Sequence, residues 1–139
     1  MIILDTNVIS EAAKLGINSD VETWLNIQPV NMLYATAISL AEISLGIEKL
    51  PDGRRKNELR HDMEQIFGRY FGPRILPFDR EAAVAYGRLV ALARANGKTI
   101  LMADGQIAAI AQVHSFAVAT RDTAPFEAAG IPVINPWKL

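Results

Sequence analysis

The chain has 139 residues, half of them hydrophobic, with a formal net charge of −1. That length suits one domain, 1–139, around one filled core, and the charge excludes a broadly basic nucleic-acid binder, so any such contact needs a local patch. There is no cysteine, which excludes disulfides, thiolate zinc sites and cysteine nucleophiles. No apolar run is long enough for a membrane span. Met1-Ile2-Ile3-Leu4-Asp5 does not read as a signal peptide, and a cytoplasmic protein is expected.

Ile2-Ile3-Leu4 is a short apolar run ending at Asp5-Thr6-Asn7, the pattern of a buried strand and a polar turn. A short helix is expected through Val8, Ile9, Ala12 and Ala13, stopping near Gly16. Asp20 to Gln28 predicts a second helix, with Val21, Trp24 and Leu25 on one face and Pro29 at its end. Leu33-Tyr34-Ala35-Thr36 reads as a second strand. Ile38 to Leu50 reads as a helix closed by Pro51-Asp52-Gly53. Asn57 to Phe71 has the strongest helical periodicity, with Leu59, Met63, Ile66, Phe67, Tyr70 and Phe71 on one face and Gly72-Pro73 beyond. Arg74 to Pro77 holds a third strand. Asp79 caps a helix over Arg80–Asn96, with Gly97 just past it. That helix is apolar around most of its circumference, as expected of one buried in the core and in an oligomer contact. Asp104 to His114 forms another helix, Phe116 to Ala119 a fourth strand ending at Thr120-Arg121-Asp122, and Ile131 to Ile134 a last strand. The alternation predicts an α/β fold, a short parallel sheet of four to five strands flanked by helices.

Four acids stand out. Asp5 and Asp122 follow the first and fourth strands. Glu42 falls in the first turn of the helix after the second strand, and Asp104 opens the helix leading into the fourth. In an open parallel sheet, residues after the strands gather at one edge, where ligands bind, so these four acids are expected to converge. Each also has a plainer explanation. Ser39-x-x-Glu42 matches a capping box. Asp5, Asp104 and Asp122 suit helix caps or turns, and Asp104-Gly105 is a turn dipeptide. Two carboxylates about 4 Å apart repel by roughly 1 kcal/mol in water and roughly 4 at an effective dielectric of 20. A cluster of them calls for a cation, and an all-oxygen ligand set selects Mg²⁺ or Mn²⁺ over zinc.

Leu4-Asp5-Thr6-Asn7-Val8-Ile9-Ser10 resembles the opening of PIN domains. Ile38-Ser39-Leu40-Ala41-Glu42-Ile43 is similar to their second acidic motif, and Ala103-Asp104-Gly105-Gln106-Ile107-Ala108-Ala109 to their third. Ala119-Thr120-Arg121-Asp122 stands where the fourth belongs. The likeness runs from Met1 to Asn135-Pro136-Trp137 and points to the FitB-like branch of VapC toxins. It implies a PIN-like three-layer sandwich and a toxin that cuts RNA at a Mg²⁺ or Mn²⁺ site. The implied cluster is Asp5, Glu42, Asp104 and Asp122, with Asp5 and Asp104 foremost as metal ligands. Thr6, Asn7 and Thr120 are the implied supporting polar groups. A homodimer and a VapB/FitA-like antitoxin that binds operator DNA are implied as partners. Asp122 stands where many members carry Asn, and Pro125 where they carry an acid.

Metal-assisted hydrolysis is the implied chemistry. His61 and His114 lie on helices away from the acidic edge and are read as surface or packing residues. Arg54, Arg55, Lys56 and Arg60 form a basic run, either a solvated helix start or an RNA-backbone contact. Arg121, beside the acids, is the better candidate for an RNA phosphate. Glu11 and Asp79 are assigned to helix starts or solvent, Trp24 and Trp137 to packing. Two other readings stay open: a catalytically silent binding module whose acids only cap helices, and a metal-dependent nuclease acting on DNA.

Overall fold

Strand β1 (Ile2–Leu4) is the centre of the sheet, and its alternation builds both faces of the protein. Ile3 joins a core cluster with Leu89, Ile107, Ile110, Val118 and Phe126 on one side. Leu4 joins Val8, Trp24, Leu33, Phe67 and Phe71 on the other. Successive side chains of a strand point to opposite faces, so a three-residue strand buried on both sides must be apolar throughout. The computed structural model describes all residues, 1–139.

In chain order, β1 is followed by α1 (Thr6–Ala12), α2 (Ser19–Ile27), β2 (Leu33–Thr36), α3 (Ala37–Glu48) and α4 (Arg54–Glu64). Then come β3 (Ile75–Leu76), α5 (Arg80–Ala95), α6 (Met102–His114), β4 (Ala117–Ala119), α7 (Ala124–Ala128) and β5 (Val133–Ile134). The five strands lie in the order β3-β2-β1-β4-β5 and every pairing is parallel. Helices cover both faces, giving the expected α/β layering. The chain runs outward through β2 and β3, then crosses back to β4 beside β1. The strand order therefore reverses between β1 and β4, and in such sheets the crevice at the carboxyl ends of the strands at this switch receives ligands.

Local chemistry explains most helix limits. Asn18 caps α2 by accepting from the backbone N–H of Asp20 and Val21. Asp79 caps α5 as expected, accepting from Ala82 at 3.0 Å, and Gly97, at φ +75°, ends it in the left-handed region that glycine tolerates. The periodic stretch expected over 57–71 begins instead at Arg54, and its last part, Gln65–Phe71, is wound as a π-helix. Arg74 fastens that segment to the sheet: its guanidinium donates to the carbonyls of Val30, Leu33 and Tyr70. The short α7 has no counterpart in the sequence reading. With five residues and a proline in its first turn, it is too short to show periodicity.

Helices α5 and α6 approach closely at Gly105. A Cβ there would lie 2.8 Å from Tyr86 Cε2 and 3.1 Å from Val90 Cγ2. Gly105 is thus a helical residue required by packing, and Asp104-Gly105 is not a turn. No helix is long and apolar enough to cross a membrane.

Candidate active site

Asp5 comes directly after β1 and is only 4 % exposed. Its backbone N–H donates to the carbonyl of Ala119 at the end of β4, so Asp5 is seated where the strand order reverses. One carboxylate oxygen, Oδ1, accepts from the N–H of Thr6 at 2.8 Å and caps α1. The other, Oδ2, accepts from the hydroxyl of Thr120 at 2.9 Å and from the amide of Asn7 at 3.3 Å. Capping and site formation thus coexist in one side chain, as the several lone pairs of a carboxylate allow.

The network extends outward. Asn7 Oδ1 accepts from the N–H of Arg121 at 3.2 Å, and the N–H of Asp122 donates to Thr120 Oγ1 at 3.1 Å. Loops after β1 and β4 are thereby locked together. On the other side, the Thr6 hydroxyl donates to Glu42 Oε1 at 2.7 Å and lies 2.9 Å from the hydroxyl of Ser39. Ser39, which the sequence marks only as a possible cap, is fully buried. The actual cap of α3 is Thr36, whose hydroxyl accepts from the N–H of Ser39 at 3.1 Å. The helix therefore starts at Ala37, Glu42 lies in its second turn rather than its first, and the capping-box explanation of Glu42 falls. Likewise α6 starts at Met102, so Asp104 sits inside the first turn instead of opening it, and its side chain caps nothing.

Electrostatics joins the four acids. Burial raises the Asp5 carboxyl above its ordinary range, hydrogen bonds from Thr120 and Thr6 pull it back, and the charges of Glu42 and Asp122 raise it further. Burial and the charges of Asp5, Asp122 and Glu42 push Asp104 up to about 6. None of the four is in an ion pair. Their side chains are not drawn into a closed ligand set either: no three acids stand ready to grip one ion. The chemistry of the donor set nevertheless fits a hard divalent cation, since every donor is oxygen and no side-chain cation forms an ion pair with any of the four.

Other residues fall away from this edge. His61 is exposed on α4, and His114 packs its ring 5.4 Å from that of Phe116. Of the basic run, Arg54 pairs with Glu58, Lys56 with Asp52 and Arg60 with Glu48, which supports a helix surface neutralised internally. Glu11, expected at a helix start or in solvent, is buried, and one of its oxygens lacks a hydrogen bond, with Lys14 Nζ 3.2 Å away. Trp24 is core, as read. Trp137 carries the guanidinium of Arg121 over its ring at 5.3 Å.

A parallel α/β sandwich with a buried carboxylate, Asp5, at its switch point and Glu42, Asp104 and Asp122 coupled to it in charge defines a class of acid-centred α/β proteins. The chain belongs to the PIN-domain family, whose model matches residues 2–131, and to the VapC-type toxins within it. It is 46 % identical to a VapC ribonuclease of Sinorhizobium fredii over 138 residues, 99 % of each chain. It is 46 % identical to the toxin FitB of Neisseria gonorrhoeae over 137 residues, again 99 % of each. The solved structure of FitAB bound to a DNA fragment superposes with a TM-score of 0.94 at 47 % identity, covering 100 % of this chain and 97 % of that one.

Proposed function

We propose that the protein is the toxin of a type II toxin–antitoxin pair and a Mg²⁺- or Mn²⁺-dependent endoribonuclease. The observation that carries this reading is the meeting of Asp5, Glu42, Asp104 and Asp122 from four distant segments, coupled in charge and with no cation paired to any of them. A bound divalent ion supplies an acidified water and neutralises charge on the scissile phosphate. Asp5 and Asp104 are the principal ligands, with Glu42 and Asp122 completing the set. Asp5 is held still by Thr120, Asn7 and Thr6, whereas Glu42 and Asp122 are exposed. Thr6 orients Glu42. Arg121, stacked on Trp137 and in no ion pair, is placed to meet an RNA phosphate.

The similarity to FitAB on DNA supports a small antitoxin as partner and operator binding by the pair. An antitoxin arginine is a suitable plug, because its fork matches unpaired carboxylates. A homodimer is proposed through α5, which turns Ala82, Leu89, Val90 and Ala93 to the core and leaves Val84 and Leu92 53 % and 65 % exposed.

Cleavage of labelled single-stranded RNA and DNA tests the activity, with Mg²⁺, with Mn²⁺ and with chelator. Metal-dependent cutting of RNA by wild type, lost in Asp5→Asn and Asp104→Asn, is expected. Equal cutting by both variants, or cutting of DNA alone, contradicts it.

A further inference from the structure

The acidic edge stands between two cavities of opposite character. Thr6 and Glu42 line one of about 320 Å³ whose other walls are mainly apolar, among them Ile43, Ile47, Met63 and Phe67. Asp104 and Asp122 line the other, of about 530 Å³, together with Lys98, Thr99, Leu101 and Glu127. Lys98 is the only cation in that second wall and faces three carboxylates, yet it is exposed and pairs with none of them.

Its backbone is well fixed. The N–H of Lys98 donates to the carbonyl of Ala93 and that of Gly97 to Arg94, both at 2.9 Å. This is the paired closure of a helix C-terminus on a left-handed glycine. The side chain thus leaves from a point fixed by backbone hydrogen bonds, and its ammonium is exposed and in no ion pair. Beside it, Leu101 is 72 % exposed and joins Ala124, Pro125 and Ala128 as the apolar part of the cavity lining. A lysine at the opening that holds Asp104 and Asp122, with an exposed leucine beside it, suits a nucleotide whose phosphate meets the ammonium and whose base lies against Leu101 once a divalent ion offsets the carboxylates.

We propose that this cavity is a nucleotide subsite for single-stranded RNA, in which Lys98 holds the phosphate next to the one being cut and Leu101 supports the adjoining base. It rests on the ribonuclease reading above. Arg121 and Lys98 then hold the strand from opposite sides of the carboxylates.

The test measures cleavage of labelled single-stranded RNA at several salt concentrations by wild type, Lys98→Ala, Lys98→Glu and Lys98→Arg, alongside Mn²⁺ affinity and thermal melting. Lys98→Ala should raise KM about three- to tenfold, more than kcat falls, with Lys98→Glu worse and Lys98→Arg near wild type. The salt dependence of log kcat/KM should become shallower by about 0.7, the share of one phosphate contact on a single strand. Mn²⁺ should bind Lys98→Ala as tightly as wild type or more tightly, because a positive charge beside the carboxylates has gone. A wild type that cuts RNA, with Lys98→Ala matching it in KM and salt slope, overturns the subsite and leaves the nuclease standing. Loss of Mn²⁺ binding or melting temperature in Lys98→Ala also overturns it, showing that Lys98 maintains the pocket instead. A wild type that cuts no RNA with either metal removes both.

Discussion

The hydroxyl of Thr120 donates a 2.9 Å hydrogen bond to Asp5 Oδ2 across 115 residues of sequence. Both groups are buried, and the bond fastens the end of β4 to the end of β1 where the strand order reverses. A buried carboxylate held in one orientation is a pre-set ligand, and groups that orient ligands typically change metal affinity 10–100-fold when removed. Thr120→Val keeps the shape and deletes the donor. It should weaken Mn²⁺ binding by about tenfold and leave the melting temperature of the metal-free protein within a few degrees, while Thr120→Ser restores binding. Calorimetric titration of the three proteins checks this; equal affinity in all three means that Asp5 needs no such support.

Metal-free stability should fall as pH rises. The Asp104 carboxyl is raised from 3.8 to about 6 in the folded protein, so the native state binds more protons than the unfolded chain in that interval. Stability is then lost progressively between about pH 4 and pH 6, and the loss is complete above it. Asp104→Asn should melt higher than wild type at pH 7 with chelator present, and equally at pH 3.5. Added Mg²⁺ or Mn²⁺ should reverse the order, adding roughly 2.7 kcal/mol to wild type at 100 times its dissociation constant. Melting curves that do not differ with pH or metal would sink the repulsive-pocket account.

Gly105→Ala should destabilise by about 1–3 kcal/mol. The added methyl would meet the ring of Tyr86 at 2.8 Å and Val90 at 3.1 Å, and a ring packed between two helices cannot swing away as the end of a flexible chain does. Urea unfolding measures it. A neutral effect would mean that α5 and α6 separate easily.

The strands, most helices and the charge coupling of the acids are legible in the sequence because each rests on short-range signals: apolar runs, caps and the residue after each strand. Asp5 and Asp79 were readable for that reason. What depended on exact helix starts was not. Ser39 and Thr36 are both good caps three residues apart, and only burial decides that Thr36 caps α3, which moves Glu42 by a turn. Asp104-Gly105 looks like a turn because Gly105 lacks a side chain, but that lack serves the approach of Tyr86. Glu11 looks like a solvent residue because its burial comes from packing between elements. Lys98 carries no signal at all until its cavity exists.

The exposed face of α5 predicts an oligomer. Leu92 is 65 % exposed on a helix whose other face is core, so Leu92→Glu should leave folding intact and abolish self-association. Sedimentation should give a dimer for wild type and a monomer for the variant. A monomeric wild type at working concentrations would rule out this interface.

The most direct test of the account is equilibrium binding of Mn²⁺ to the purified protein without RNA, compared among wild type, Asp5→Asn and Asp104→Asn, with circular dichroism confirming that all three are folded. The account predicts saturable binding to wild type and its loss in both folded variants, because each substitution is nearly isosteric and removes one charge the ion requires. Binding to both variants as tight as to wild type, or no binding to any of the three, would contradict it.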